Sequence, residues 1–321
     1  MSFADFQRFF ELISGLSNRK QLFSTERVRR ETLSLKLKVF FDHPVPPEKL
    51  WIVFPPQIVL SQVDWVYGTD GKFLHRDGVF LIHRDVTYGE NLYWSFWKSE
   101  SYLAFDTDLK LLSGLISGYN GNIPKGAVSD WKGAIVMAVN MHFGPIPHQR
   151  CLTHVVRMAK RLLPENSPFA ATRALRKIAQ ELIYVEFWRD EVDWLWSLKV
   201  WEEKYGDMLK KKTIGIKTRK KWWYTHGNLR RGYRLLTYEQ EPFFIHLNHP
   251  LINHSNNSLE GVNSQLKQKL GDHRGMKTYQ QVSFLSWYLT FKRIKNKTEL
   301  KKLWALWKNE ISVDLPTRKL T

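Results

Sequence analysis

The sequence predicts an α/β protein in which a sheet-bearing core is interrupted by a long all-helical insertion. Three observations predict it. Between Val63 and Trp97 the apolar residues follow the two-residue period of strands, whereas the flanking segments follow a helical period. Between Leu152 and Pro242 only helical patterns occur. A chain of 321 residues that is 43% hydrophobic and 14% aromatic has enough apolar side chain to bury a sizeable core.

Residues 3–16 carry Phe6, Phe9, Phe10 and Ile13 on one helical side, and a second helix is predicted from Ser24 or Thr25 to Phe41, with five basic residues. The pair is compatible with part of a helix-turn-helix and equally with a hairpin packed on the core. The proline-rich 43–56 stretch reads as a linker. VDWVYGTDGKFLHR, GVFLIHRDV and NLYWSFWKSE are three strand-like runs separated by turns at Arg76–Gly78 and Tyr88–Glu90, so an antiparallel meander is expected. A helix over SYLAFDTDLKLLSGLIS, a short strand AVSD and a helix over WKGAIVMAVNMHF follow. Three strands, helix, strand, helix is the opening order of a ribonuclease-H-like core. A further helix runs from about Ser258 to Leu270, and the segment from Gln280 to Trp307 is aromatic, basic and helical in pattern. The expected organisation is an N-terminal helical segment and linker (1–56), the first part of the core (57–151), the insertion (152–245), and the last part of the core with its helical tail (246–321).

Lys and Arg number 49 against 31 Asp and Glu, a formal net charge of +18. Such an excess, spread along the chain, favours a polyanionic partner, nucleic acid being the commonest. The single cysteine, Cys151, excludes an intramolecular disulfide and any zinc ribbon of CxxC pairs within this sequence. The first residues lack the basic start and apolar core of a signal peptide, and no apolar run approaches the roughly 20 residues of a spanning helix. A cytoplasmic protein is expected, with no membrane partner.

Asp70, Asp130 and Glu260 stand in segments that read as strand, strand end and helix. Carboxylates brought together can clamp two divalent ions about 4 Å apart, for which oxygen-only ligands suit Mg2+ or Mn2+. Each acid also has an ordinary reading. Asp130 is placed to cap the WKGAI helix, Glu260 to complement a helix dipole as a solvated first-turn acid, and Asp64 rivals Asp70 within the meander, with Asp77 and Asp85 at turns.

VSDWKGAI, HQRCLTHVVRMAKRLL, WWYTHGNLRR, HSNNSLEGVNSQLK and HRGMKT, in this order and spacing, resemble bacterial insertion-sequence transposases of the Mutator-like (MULE) DDE superfamily, over residues 58–295. The resemblance implies a ribonuclease-H-like catalytic core with an all-helical insertion. It implies Asp70, Asp130 and Glu260 as catalytic metal-binding acids, with two Mg2+ (or Mn2+) ions. It matches Cys151 and His154 to a Cys-x-x-His element that supports the site by anchoring the insertion. Zinc at this pair is the lesser reading, since zinc sites usually have more sulfurs. Many relatives carry a zinc ribbon ahead of the helical DNA-binding segment, so a shortened N-terminus is expected here.

The stretch 210–224 is basic and ends in aromatics: Lys217, Arg219, Lys220 and Lys221 can neutralise phosphates, and Trp222 or Trp223 can stack on an unpaired base or serve the core. Arg230, Arg231, Lys267, His273 and Arg274 are further phosphate-binding candidates, whereas Trp188, Trp194, Trp196 and Trp201 are expected to pack. The expected function is transposition of a mobile element: metal-dependent nicking of double-stranded DNA at the element ends, then strand transfer, by a homodimer or higher multimer. The alternative is a domesticated or decayed transposase that binds DNA without catalysis.

Overall fold

The computed structural model describes residues 42–215, 221–271 and 275–314. The predicted helices within 3–41 lie outside the described residues, as do Lys217, Arg219, Lys220, His273 and Arg274.

Residues 43–56 are not a linker. Helix α1 (Pro47–Val53) opens on Pro47 and buries Leu50 and Trp51. Proline is favoured at a first helical position, where its missing N–H has no helical partner to lose. The indole N–H of Trp51 donates to the Leu92 carbonyl at 2.9 Å, fixing α1 to the sheet.

That sheet has five strands, β1 (Val66–Leu74), β2 (Gly78–Asp85), β3 (Glu90–Trp97), β4 (Gly126–Ser129) and β5 (His148–Arg150), in the order β3-β2-β1-β4-β5. The first three form the predicted antiparallel meander. β4 pairs parallel with β1, and β5 parallel with β4. Parallel neighbours need a crossover, supplied by α2 (Tyr102–Gly118) before β4 and α3 (Gly133–Phe143) before β5. β5 escapes sequence reading because His-Gln-Arg is too short and too polar to show a period.

Strand alternation divides the core between the two faces of the sheet. Tyr67, Val79, Leu81 and Leu92 pack with Phe105, Leu109 and Leu112 of α2 and with Ile135 and Val139 of α3. Phe80, Ile82 and Trp94 take the other face, which the C-terminal helices cover. A polar knot lies buried beside α2: Asp108 Oδ2 is 3.0 Å from His83 Nε2 and accepts from the Ser95 hydroxyl, and the Trp97 indole donates to Asp108 Oδ1 at 3.1 Å.

The stretch from 152 to 245 builds its own core. Helices α4 (Leu152–Leu162), α5 (Ala170–Glu181), α6 (Trp188–Lys210) and α7 (Gly227–Thr237) enclose Trp194 and Trp201. Their indole N–H groups donate to the Ile178 and Ala171 carbonyls at 2.8 and 2.9 Å. Trp188 and Trp196, expected to pack likewise, lie on the opposite side of α6 and are 69% and 60% exposed. Nor is this stretch all-helical: β6 (Lys212–Ile214) and β7 (Trp222–Tyr224) pair antiparallel. Their β-branched and aromatic residues favour strands, but three-residue runs show no readable period.

The chain then returns to the sheet. α8 (Asn257–Gly271), α9 (Thr278–Lys292) and α10 (Lys297–Asp314) bring Leu259, Val262, Leu266, Phe284, Leu285, Leu289 and Trp307 against Phe80, Ile82 and Trp94. Among the described residues no helix is long and apolar enough to cross a membrane.

Candidate active site

The parallel pairing of β1 with β4 sets the first relationship. Gly68 lies beside Val128 in that register. Asp70 and Asp130, each two residues further on, therefore become neighbours at one end of the sheet. Asp70 Oδ1 accepts the Gly71 N–H at 2.9 Å and Oδ2 accepts the Asn263 side-chain amide at 2.6 Å. Burial raises the Asp70 carboxyl above its ordinary value and the Asp130 charge adds to this, while His154, Gly71 and Asn263 oppose it. The rival acids lie elsewhere. Asp64 is exposed and pairs with Lys125 at 3.7 Å, Asp77 accepts from Thr278, and Asp85 accepts the N–H groups of its own turn, Thr87 and Tyr88.

Asp130 does not cap α3. Lys132 holds the N-cap position, and Asp130 accepts the Lys132 N–H at 3.3 Å and its ammonium at 2.6 Å. The same ammonium pairs with Glu100, a largely buried fourth acid. Burial raises the Glu100 carboxyl, Lys132 opposes this, and the charges of Asp130 and Asp70 add to it. Between Asp130 and Lys132 stands Trp131 at φ 65°, in the left-handed region. A residue other than glycine pays about 1–2 kcal/mol for that conformation. Its N–H donates to Ser129 Oγ at 3.2 Å, its indole to Glu239 at 3.0 Å, and its ring meets His148 edge-on at 5.0 Å. Such strain persists where surrounding contacts over-determine it, as beside functional groups.

Glu260, in the first turn of α8, accepts from Arg157 Nη2 through Oε2 at 2.9 Å. Its other oxygen, Oε1, faces His154 Nδ1 at 3.8 Å, and His154 Nε2 faces Asp70 Oδ1 at 4.0 Å. The imidazole thus stands between the first and third acids. Burial works to lower its pKa, but Cys151, Asp70 and Glu260 outweigh burial and push it up to about 9. One ligand atom each from Cys151, His154 and Glu260 lie within 4.8 Å of one another. Asn256 ties the parts together: its backbone N–H donates to Cys151 Sγ at 3.3 Å and its side-chain amide to the Thr69 carbonyl at 3.3 Å. That approach needs glycine at 68, where a Cβ would lie 2.5 Å from Val86 Cγ1 and 3.1 Å from Asn256 Oδ1.

The fold therefore sets Asp130 beside Asp70 at the sheet end and puts His154 between Asp70 and Glu260, with Cys151 within ligand reach of His154 and Glu260. Sequence reading missed Glu100, Lys132, Arg157, Asn263 and Lys72. Asn263 and Arg157 stand three residues after Glu260 and His154, a spacing that places them on the same helical faces. Lys132 lies two residues past Asp130. Glu100, between β3 and α2, carries no readable signal. Burial, then the nearby charge of Lys267, lowers the Lys72 ammonium; Lys72 follows Asp70 by two residues on β1 and Lys267 follows Asn263 by four on α8.

The nucleic-acid candidates divide. Lys267 lies on α8, exposed, one face along from Glu260 and Asn263. Lys221, Trp222 and Trp223 sit on the β6–β7 ribbon, and both tryptophans are exposed, at 47% and 41%, so neither serves the core. The Lys212 ammonium lies 4.2 Å from the Trp222 ring centroid. Arg230 stacks on Tyr224 at 4.1 Å, and Arg231 donates to Asn228 at 2.6 Å.

Compared with known proteins, the chain matches no protein-family model and no curated protein.

Proposed function

We propose that this chain is the DNA transposase of an insertion sequence, with a ribonuclease-H-like core interrupted by a largely helical insertion. The observation that carries the reading is the link from Asp130 at the end of β4 to its sheet neighbour Asp70 on β1, and from Asp70 through His154 to Glu260 on α8. The sheet order, an antiparallel meander extended by two parallel strands, supports it.

The acids fit hard divalent cations: Asp70 and Asp130 are neighbours at one sheet end, and Glu260 Oε1 is a buried acceptor with no hydrogen-bond donor among the described residues. Asp70, Asp130 and Glu260 would hold two Mg2+ or Mn2+ ions, which supply activation of water and charge stabilisation at a leaving phosphate oxygen. The protein's own part is positioning. Asn263 and the Gly71 N–H orient Asp70, Lys132 fixes Asp130, and Arg157 engages one Glu260 oxygen so that the other faces the site. Lys72 and Lys267 are placed to bind the phosphates flanking the scissile bond, and the exposed ribbon tryptophans to stack on bases at an element end. The product of nicking is a free 3′-hydroxyl, which attacks target DNA in the strand-transfer step. The enzyme works in the cytoplasm, on paired ends, as a dimer or higher multimer.

Strand cleavage of DNA carrying the element ends, in Mg2+ or Mn2+, tests the reading. Wild type is expected to cleave and Asp130→Ala to lose activity. Cleavage that survives the substitution excludes this site, and specific DNA binding without cleavage in either metal points to a decayed transposase.

A further inference from the structure

The donor set at the start of α4 is a poor match to the chemistry just described. Magnesium takes oxygen ligands, whereas thiolate and imidazole select zinc and its neighbours. Cys151, His154 and Glu260 bring one sulfur, one nitrogen and one oxygen within 4.8 Å of each other. Donors around a tetrahedral zinc lie about 3.3–3.8 Å apart, given bonds of about 2.0–2.3 Å. His154 Nδ1 and Glu260 Oε1 are already 3.8 Å apart. Both are buried atoms with no hydrogen-bond partner among the described residues.

We propose that Cys151, His154 and Glu260 form a three-ligand site for a thiophilic divalent cation of the Zn2+ class, whose filling excludes the Mg2+ arrangement. Each ligand is prepared for it. Cys151 is fully buried at the N-cap of α4, and its sulfur accepts the Asn256 N–H at 3.3 Å. His154, three residues later, shares that helical face. Arg157 occupies Glu260 Oε2 at 2.9 Å and leaves Oε1 for a single metal bond. Asp70 Oδ1, 4.0 Å from His154 Nε2, is placed to orient the imidazole from its far side, as carboxylates do behind metal-bound histidines. Three protein ligands leave one coordination position for water. Binding displaces the thiol proton and any proton on the imidazole to solvent. Zinc drawn in by Cys151 and His154 takes the Glu260 oxygen that the Mg2+ arrangement needs, so zinc inhibits strand cleavage. That consequence, unlike the binding itself, rests on the proposed transposase reading.

Cobalt supplies a readout independent of activity. Cys151 is the only cysteine in the chain, so a near-ultraviolet thiolate-to-cobalt charge-transfer band reports this site alone. Titrating the full chain with Co2+ is expected to raise that band to one equivalent, and Zn2+ to abolish it. Cys151→Ser is expected to lose the band. Because a buried substitution can disturb folding, His154→Asn and Glu260→Gln are measured alongside and are expected to shift the titration at least tenfold. No band in wild type, or a titration unmoved by both His154→Asn and Glu260→Gln, overturns the site. In the Mg2+ cleavage assay, equimolar Zn2+ is expected to slow wild type at least tenfold; a band with no such slowing overturns the mutual exclusion. A band from a protein that cleaves no DNA upholds the metal site while removing the transposase reading.

Discussion

Asn263 donates its side-chain amide to Asp70 Oδ2 at 2.6 Å, joining α8 to β1 across 193 residues of sequence. The bond fixes the rotamer of a carboxylate that burial and Asp130 both disfavour as an anion. Partners behind a metal ligand typically contribute 10–100-fold to metal affinity. Asn263→Ala is therefore expected to raise the Mg2+ concentration for half-maximal cleavage by about 10–100-fold. A titration of cleavage rate against Mg2+ checks this, and an unchanged midpoint would count against the assigned role of Asp70.

The ribbon tryptophans lend themselves to a clean substitution, because both are exposed and the core loses nothing with them. Stacking on a base is worth about 1–3 kcal/mol. Trp222→Ala with Trp223→Ala is expected to weaken binding to DNA with unpaired ends by at least tenfold while leaving the thermal midpoint in place. Lys221→Ala should lower the slope of log affinity against log salt by about 1. Fluorescence anisotropy over a salt series measures both.

Asp108 is the hub of the buried knot with His83, Ser95 and Trp97. Removing its carboxylate strands those groups in the core. Asp108→Ala is expected to cost about 3–5 kcal/mol, read from the urea midpoint, with cleavage per folded molecule retained.

His148 gives a pH dependence with a definite sign. Burial pushes its imidazole down to about 4, with Asp130 opposing. In the unfolded chain it protonates near 6.5, so between those values the unfolded state holds more protons. Stability is fully present above pH 6.5 and falls as pH drops towards 4, by up to roughly 3 kcal/mol from this residue. His148→Gln, which keeps a partner for Ser129 Oγ, is expected to flatten that limb of the urea-midpoint profile.

Much of the fold was legible because its signals are local. The meander announced itself through period-two runs and glycine turns, and the helices through their spacing. What was missed is either too short to carry a period, as with β5, β6 and β7, or depends on which side meets a neighbour. Trp188 and Trp196 differ from Trp194 and Trp201 only in the side of α6 they occupy, and the prolines of 43–56 mark a helix start as readily as a linker. The site divides similarly. Asp130, Glu260, Cys151 and His154 are candidates through the motifs around them, and Asp70 through the strand-like run and the glycine that follows it. Glu100 joins Asp130 only through Lys132, a three-dimensional relation that nothing in the neighbouring residues announces.

In the proposed site the carboxylates of Asp70, Asp130 and Glu260 hold a pair of divalent cations. Anomalous scattering from crystals of the full chain grown with Mn2+ measures it directly. Two manganese peaks are expected, bound by these three side chains and lost in Asp70→Ala. Manganese seated elsewhere, or none at these carboxylates in the presence of DNA, would contradict it.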